Sequence, residues 1–131
     1  MRRRGEDPVL SAFAAALVRL AAALAQPKTE WTRDAAIQRF EFTFELAWKA
    51  IARRARAEGV PCASPREALK TALRLGWIAD DDTWLTMLDD RNRTTHTYHE
   101  ATAEEIYSRL AVYATLLDAL HRRLAEPEGG G

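Results

Sequence analysis

Along the first part of the chain, Leu10, Phe13, Leu17, Leu20 and Leu24 recur at alternating steps of three and four. On a helix advancing ~100° per residue, that spacing gathers one apolar stripe. A first helix is therefore predicted from about Pro8 to Ala25, ended by Gln26 and Pro27. A second seam lies at the other end of the chain. There Ile106, Leu110, Tyr113, Leu117, Leu120 and Leu124 step by four, three, four, three and four. Such a coiled-coil-like rhythm predicts one long last helix beginning near Glu100. The residues after it, "EPEGGG", predict a disordered tail.

The middle of the chain is less uniform. In "FEFTFELAW", Phe40, Phe42, Phe44, Leu46 and Trp48 alternate as a strand would, while Ile37, Phe40, Phe44, Ala47 and Ile51 keep helical spacing. The flanks "DAAIQR" and "KAIARRARAE" are rich in strong helix formers, which decides for helix. The second helix is placed from near Thr32 to about Glu58, stopped by Gly59 and Pro61. Aromatic residues then lie around more than one of its faces, so it is either central in a bundle or covered by a partner. "SPRE" at 64–67 has the form of a capping box, with Ser64 as N-cap, Pro65 in the first turn and Glu67 as the reciprocal acceptor. A short helix follows to Leu75, with Gly76 as its terminator. "DDD" at 80–82 then supplies anionic caps for a fourth helix bearing Trp84, Leu85 and Leu88. Every segment reads as helix. The fold class expected is all-α, an up-down four-helix bundle with one additional short helix, in one domain over 1–126 with a tail over 127–131.

Composition narrows the function classes. In 131 residues, nineteen basic side chains balance nineteen acidic ones, so any nucleic-acid binding must rest on a local patch. The single cysteine, Cys62, leaves no internal disulfide framework and suits a reducing cytoplasm. The N-terminal stretch superficially resembles a secretion signal, but Glu6 and Asp7 spoil its basic region and Arg19 interrupts its apolar one. A structural helix is expected there. No uninterrupted apolar run approaches the ~20 residues a membrane span needs.

The densest chemistry is "RNRTTHTYHE" at 91–100. Thr94, Thr95 and Thr97 are β-branched and Asn92 favours caps, so the fourth helix is expected to end here, leaving the side chains at a junction. On an unbroken helix Arg91 and His96 would point about 140° apart. They can meet only if the helix breaks or two copies face each other. Arginine is a permanent, forked phosphate ligand, and histidine moves protons near neutrality. Together they suit metal-free cleavage of an RNA phosphodiester. Solvated helix-end charges are the plainer alternative. A metal set drawn from Asp89, Asp90, His96, His99 and Glu100 lacks a compact ligand motif. No nucleophile signature, phosphate-cradling glycine loop or dinucleotide fingerprint is present, and no cofactor or metal is expected.

Three stretches together, "AIQRFEFTFELAWKA" at 36–50, "SPREALKTALRLGWI" at 64–78 and "WLTMLDDRNRTTHTYHEATAEEIY" at 84–107, resemble the HEPN superfamily. Within it, the chain is most similar to the small helical proteins called nucleotidyltransferase substrate-binding proteins. The resemblance implies a homodimer that brings two Arg-x4-His motifs into one cleft and acts as a metal-independent RNase toxin on tRNA or mRNA in the cytoplasm. It also implies a minimal nucleotidyltransferase partner as antitoxin, which transfers AMP to the tyrosine of Arg-x4-His-x-Tyr. Carried over by position, His96 is the acid–base, Arg91 the phosphate and transition-state ligand, and Tyr98 the AMP acceptor. Asn92 fits the polar position that orients phosphate or histidine. Arg93 is an added cation for RNA, while His99 is read as a solvated neighbour. Phe42, Trp31 and Trp48 are candidates for dimer or partner contact, with core packing the plainer role for Trp48. The alternative function is a non-catalytic substrate-binding subunit of a nucleotidyltransferase complex; a purely structural helical dimer is a third reading.

Overall fold

The structure is a computed structural model and describes residues 7–127. The basic opening residues and most of the expected tail lie outside that range. Six α-helices occur among the described residues: α1 (Pro8–Leu24), α2 (Glu30–Ala57), α3 (Pro65–Arg74), α4 (Asp81–Arg93), α5 (Glu100–Tyr107) and α6 (Leu110–Ala125). No strand occurs among those residues. The architecture is the expected all-helical bundle.

Local chemistry sets the boundaries. Asp7 caps α1 by accepting the Val9 N–H at 2.8 Å, with Pro8 opening the helix. Helix α2 begins earlier than its apolar pattern suggests. Thr29 and Thr32 form a reciprocal capping box, each hydroxyl accepting the other's backbone N–H at 3.0 and 2.7 Å, so Thr32 sits inside the first turn. The box at the start of α3 is shifted by one residue. Ser64 Oγ accepts the Glu67 N–H at 3.2 Å, whereas Glu67 reaches back to the Ala63 N–H at 2.7 Å. Helices α2 and α3 end alike. Gly59 and Gly76 adopt φ of +84° and +79°, and the next residues, Val60 and Trp77, donate back to Ala55 and Ala72 at 2.8 Å each.

The last helix is two helices. Ser108 Oγ donates to the Glu105 carbonyl at 2.6 Å, taking the acceptor that a continuous helix would offer to the Arg109 N–H. That N–H turns instead to the Ile106 carbonyl at 3.0 Å, tightening the backbone for one turn. The apolar seam runs through the break, and Ile106, Leu110, Tyr113, Leu117, Leu120 and Leu124 are all buried.

Helix α2 is the axis of the bundle and packs against α1, α3, α4, α5 and α6. Its alternating aromatics divide by face. Phe40 and Phe44 are fully buried, Trp48 is half-buried and Phe42 is exposed. Phe40 stacks on Tyr113 of α6 with ring centroids 5.4 Å apart. Each such ring contributes roughly 1.5–3 kcal/mol by leaving water.

Candidate functional site

The segment 91–100 folds as a helix end, a single 3-10 turn over Thr94–His96, and a short turn into α5. Its threonines account for the break. Thr94 Oγ1 donates to the Arg91 carbonyl at 2.7 Å and Thr97 Oγ1 to the Thr94 carbonyl at 3.2 Å. These back-bonds use acceptors that a continuing helix would have needed. The His99 N–H closes the turn on the His96 carbonyl at 3.1 Å.

Buried ionic groups anchor both sides of this turn. Asp90 is fully buried and accepts Arg109 Nε and Nη2, both at 2.7 Å, together with Tyr113 Oη at 2.5 Å. Arg93 Nη1 adds a fourth contact at 3.3 Å. A buried carboxylate is tolerated when its lone pairs are filled in this way. Burial, with the Asp90 carboxylate alongside, pushes the Tyr113 hydroxyl well above the ordinary tyrosine range. On the other side, Arg33 of α2 is almost wholly buried. It grips both oxygens of Glu100 at 3.0 and 2.9 Å and one of Glu104 at 3.0 Å. The Glu100 bond outweighs burial and holds the Arg33 guanidinium above its ordinary range.

The five residues singled out by sequence occupy one junction but do not all meet. Arg91, partly exposed on the last turn of α4, points to α2 and donates Nη2 to Glu45 Oε2 at 2.7 Å. Its Nη1 bonds the exposed Asn92 Oδ1 at 3.1 Å. Arg93 turns away to Glu105, with Nη2 at 2.7 Å, so its charge is engaged within the fold. His96 and Tyr98 are exposed and adjacent, with Nδ1 and Oη 3.3 Å apart and the rings edge to face. The Tyr98 side chain also leans on His99 at 4.4 Å between centroids. Among the described residues no hydrogen bond or ion pair joins Arg91 to His96. The helix does break between them, yet within one chain each faces a different neighbour.

Sequence reasoning missed Glu45 and the side chains that serve it. Glu45 Oε2 also accepts Trp48 Nε1 at 3.0 Å, and Lys49 Nζ lies 3.6 Å from Oε1. Partial burial pushes the Glu45 carboxyl up, but the Trp48 indole N–H and the Arg91 guanidinium outweigh it and hold the acid below its ordinary value. The signal was present as Glu, Trp and Lys at i, i+3 and i+4. It was masked by reading Trp48 as apolar. Of the metal candidates, Asp90 is committed to Arg109 and Tyr113, and Glu100 to Arg33. Among the described residues no three His, Cys, Asp or Glu side chains form a group able to hold a metal ion.

Trp31 and Phe42, expected at a partner contact, are 84% and 55% exposed. Phe42 and Leu46 line an open groove with Ala12, Ala15 and Ala16 of α1, and Glu45 stands in its wall. Among the described residues no helix is long and apolar enough to cross a membrane.

Residues 9–126 match the family model described as nucleotidyltransferase substrate binding protein like. The chain is 32% identical over 97 residues to a protein of Haemophilus influenzae named probable ribonuclease HepT. That alignment covers 67% of this chain and 66% of the relative, just under two thirds of its length. Among solved structures, a Thermus thermophilus protein superposes with a TM-score of 0.80 at 40% identity, over 86% of this chain and 98% of its own. Haemophilus influenzae HI0074, described as having the fold of a substrate binding domain of a nucleotidyltransferase, superposes with a TM-score of 0.79 at 26% identity. There 88% of this chain and 98% of that one are covered.

Proposed function

This chain belongs to the nucleotidyltransferase substrate-binding protein family of HEPN-like helical proteins, and from that premise we propose that it is a metal-independent endoribonuclease toxin held in check by a nucleotidyltransferase. The observation that carries the proposal is the junction after α4. It holds one arginine by two hydrogen bonds and leaves an adjacent histidine and tyrosine exposed. The name of the Haemophilus influenzae relative, a probable ribonuclease, supports the same reading.

In the proposed reaction, the ribose 2′-oxygen attacks the neighbouring phosphorus, giving a cyclic phosphate and releasing the 5′-oxygen of the next nucleotide. His96 exchanges the proton lost by the 2′-hydroxyl and gained by the leaving oxygen. Arg91 stabilises the charge building on the phosphoryl oxygens. Asn92, bonded to Arg91, helps set the guanidinium plane. Arg93, paired with both Asp90 and Glu105, is given a secondary part as an RNA contact, its charge already offset by two carboxylates. Because Arg91 and His96 face different neighbours in one chain, a homodimer is proposed to complete each cleft, one copy's arginine serving with its partner's histidine.

Tyr98 is 74% exposed beside His96 and offers its hydroxyl to an incoming nucleotide. In the proposed control step, Tyr98 Oη attacks the α-phosphorus of ATP on the partner enzyme, pyrophosphate leaves, and AMP stays on the tyrosine. The adenylyl phosphate would then compete for Arg91 and fill the cleft. A cytoplasmic location follows from tRNA or mRNA as substrate. The second reading, a non-catalytic subunit that presents substrate to a nucleotidyltransferase, is favoured by exposed Trp31 and Phe42. Expression without a nucleotidyltransferase separates the two. The nuclease reading expects growth arrest that Arg91→Ala and His96→Ala each relieve. Unimpaired growth with abundant, unmodified wild-type protein favours the binding subunit.

A further inference from the structure

The direction of the Arg91 side chain is set by α2, an element outside the Arg-x4-His motif. A guanidinium carries five N–H groups in a rigid fork. Here Nη2 donates one to Glu45 and Nη1 one to Asn92, leaving three free of bonds to the described residues. Glu45 is held in its turn. The same oxygen that meets Arg91 accepts the Trp48 indole N–H, and the other oxygen faces Lys49. The three α2 residues stand at i, i+3 and i+4 on one face of the helix, so the acid cannot swing out without losing the indole bond. The charges also balance in a telling way. Glu45 is offset by Lys49, so the group of three charges keeps one net positive charge for a phosphate.

We infer that Glu45, locked by Trp48, is the positioning residue for Arg91: it fixes the guanidinium plane so that its free N–H edge meets the phosphoryl oxygens in the transition state. The inference rests on the nuclease reading and adds to it a residue that the motif does not contain. Glu45 touches no reacting atom. Its charge weakens the attraction of Arg91 for ground-state phosphate, while its geometry improves the transition-state contact. The two effects pull binding and turnover apart, which a purely structural role would not do.

The test compares the full-length, unmodified wild type with Glu45→Gln and Trp48→Phe. Cleavage of total tRNA gives kcat, and a mixed-sequence 2′-O-methyl oligoribonucleotide, which lacks the attacking hydroxyl, gives affinity at low salt. Glu45→Gln is expected to lower kcat on the order of tenfold, as misplacement of a charge-stabilising group does. It is expected to bind the uncleavable RNA about two- to fivefold more tightly, through loss of a neighbouring negative charge. Trp48→Phe, which keeps an aromatic ring at the position but removes the indole N–H and part of the ring's volume, is expected to lower kcat by a smaller factor. Partial unfolding would lower turnover and binding together, and that pattern in both variants would overturn the assignment. Wild-type kcat in Glu45→Gln would also overturn it while leaving the nuclease reading intact. A wild type that does not cleave RNA, whether or not it binds the uncleavable analogue, would bring down the nuclease reading itself, and the assignment with it.

Discussion

Asp90 and Arg91 are neighbours in sequence with opposite duties. Asp90 is buried under Arg109 and Tyr113, and Arg91 faces outward to Glu45 and solvent. Asp90→Ala should destabilise the fold by about 2–3 kcal/mol in urea titration, below the ~3–5 of a fully buried pair because Arg109 retains access to water. Exposed Asp89→Ala should fall within about 0.5 kcal/mol of wild type. Tyr113 gives this cluster an alkaline signature. Its hydroxyl is raised in the folded state, so the stability it contributes is complete below the ordinary tyrosine value of 10 and is lost as pH rises beyond it. The melting temperature should therefore fall above about pH 10, and Tyr113→Phe should flatten that fall. Arg91, Asn92, His96 and Tyr98 were legible from residue type and spacing. The partners of Arg91 were not, because the acid, indole and amine that set it lie 46 to 42 positions earlier on another helix. Asp90 could be noticed as a carboxylate, but its burial follows only from the approach of α6.

Helix starts and stops were the most readable elements. Pro8, Ser64, Asp80, Gly59 and Gly76 each sit at the boundary their chemistry suggests. Gly76 adopts φ of +79° with open space where a Cβ would lie, so Gly76→Ala costs backbone strain alone. About 1–2 kcal/mol of stability should be lost in thermal unfolding. The break between α5 and α6 escaped the periodic pattern because the seam stays in register across it. Its cause is one hydroxyl, Ser108 Oγ on the Glu105 carbonyl. Ser108→Ala frees that acceptor for the Arg109 N–H and should stabilise the protein by about 0.5 kcal/mol, read as a small rise in urea midpoint. Ion pairs between elements give the acid side of the pH profile. Lys28 and Arg33 hold the Glu104 carboxyl below its ordinary value, Arg93 does so for Glu105, and Trp48 and Arg91 do so for Glu45. These groups contribute stability above the ordinary carboxylate value of 4.5 that is lost as pH falls through their lower folded values.

At the scale of the whole molecule, a neutral chain offers RNA no general electrostatic attraction. The proposed cleft must supply it locally, and a dimer doubles what one chain presents. Sedimentation of the unmodified protein should give twice the chain mass, and a mixed dimer of Arg91→Ala with His96→Ala should retain about one intact cleft. The bundle itself was legible because α1, α2 and α6 bury stripes that recur every three or four residues. The proposed relation between copies would leave no such periodic trace in the sequence. The central claim is that His96 and Arg91 cut RNA without a metal, and it meets its most direct test in one assay. Total tRNA is incubated with the purified protein in EDTA, beside His96→Ala, after intact mass has shown Tyr98 to be free of AMP. The account predicts cleavage that survives chelation and falls by about 10²–10⁴-fold in the variant. No cleavage by the unmodified wild type, or equal cleavage by His96→Ala, would contradict it.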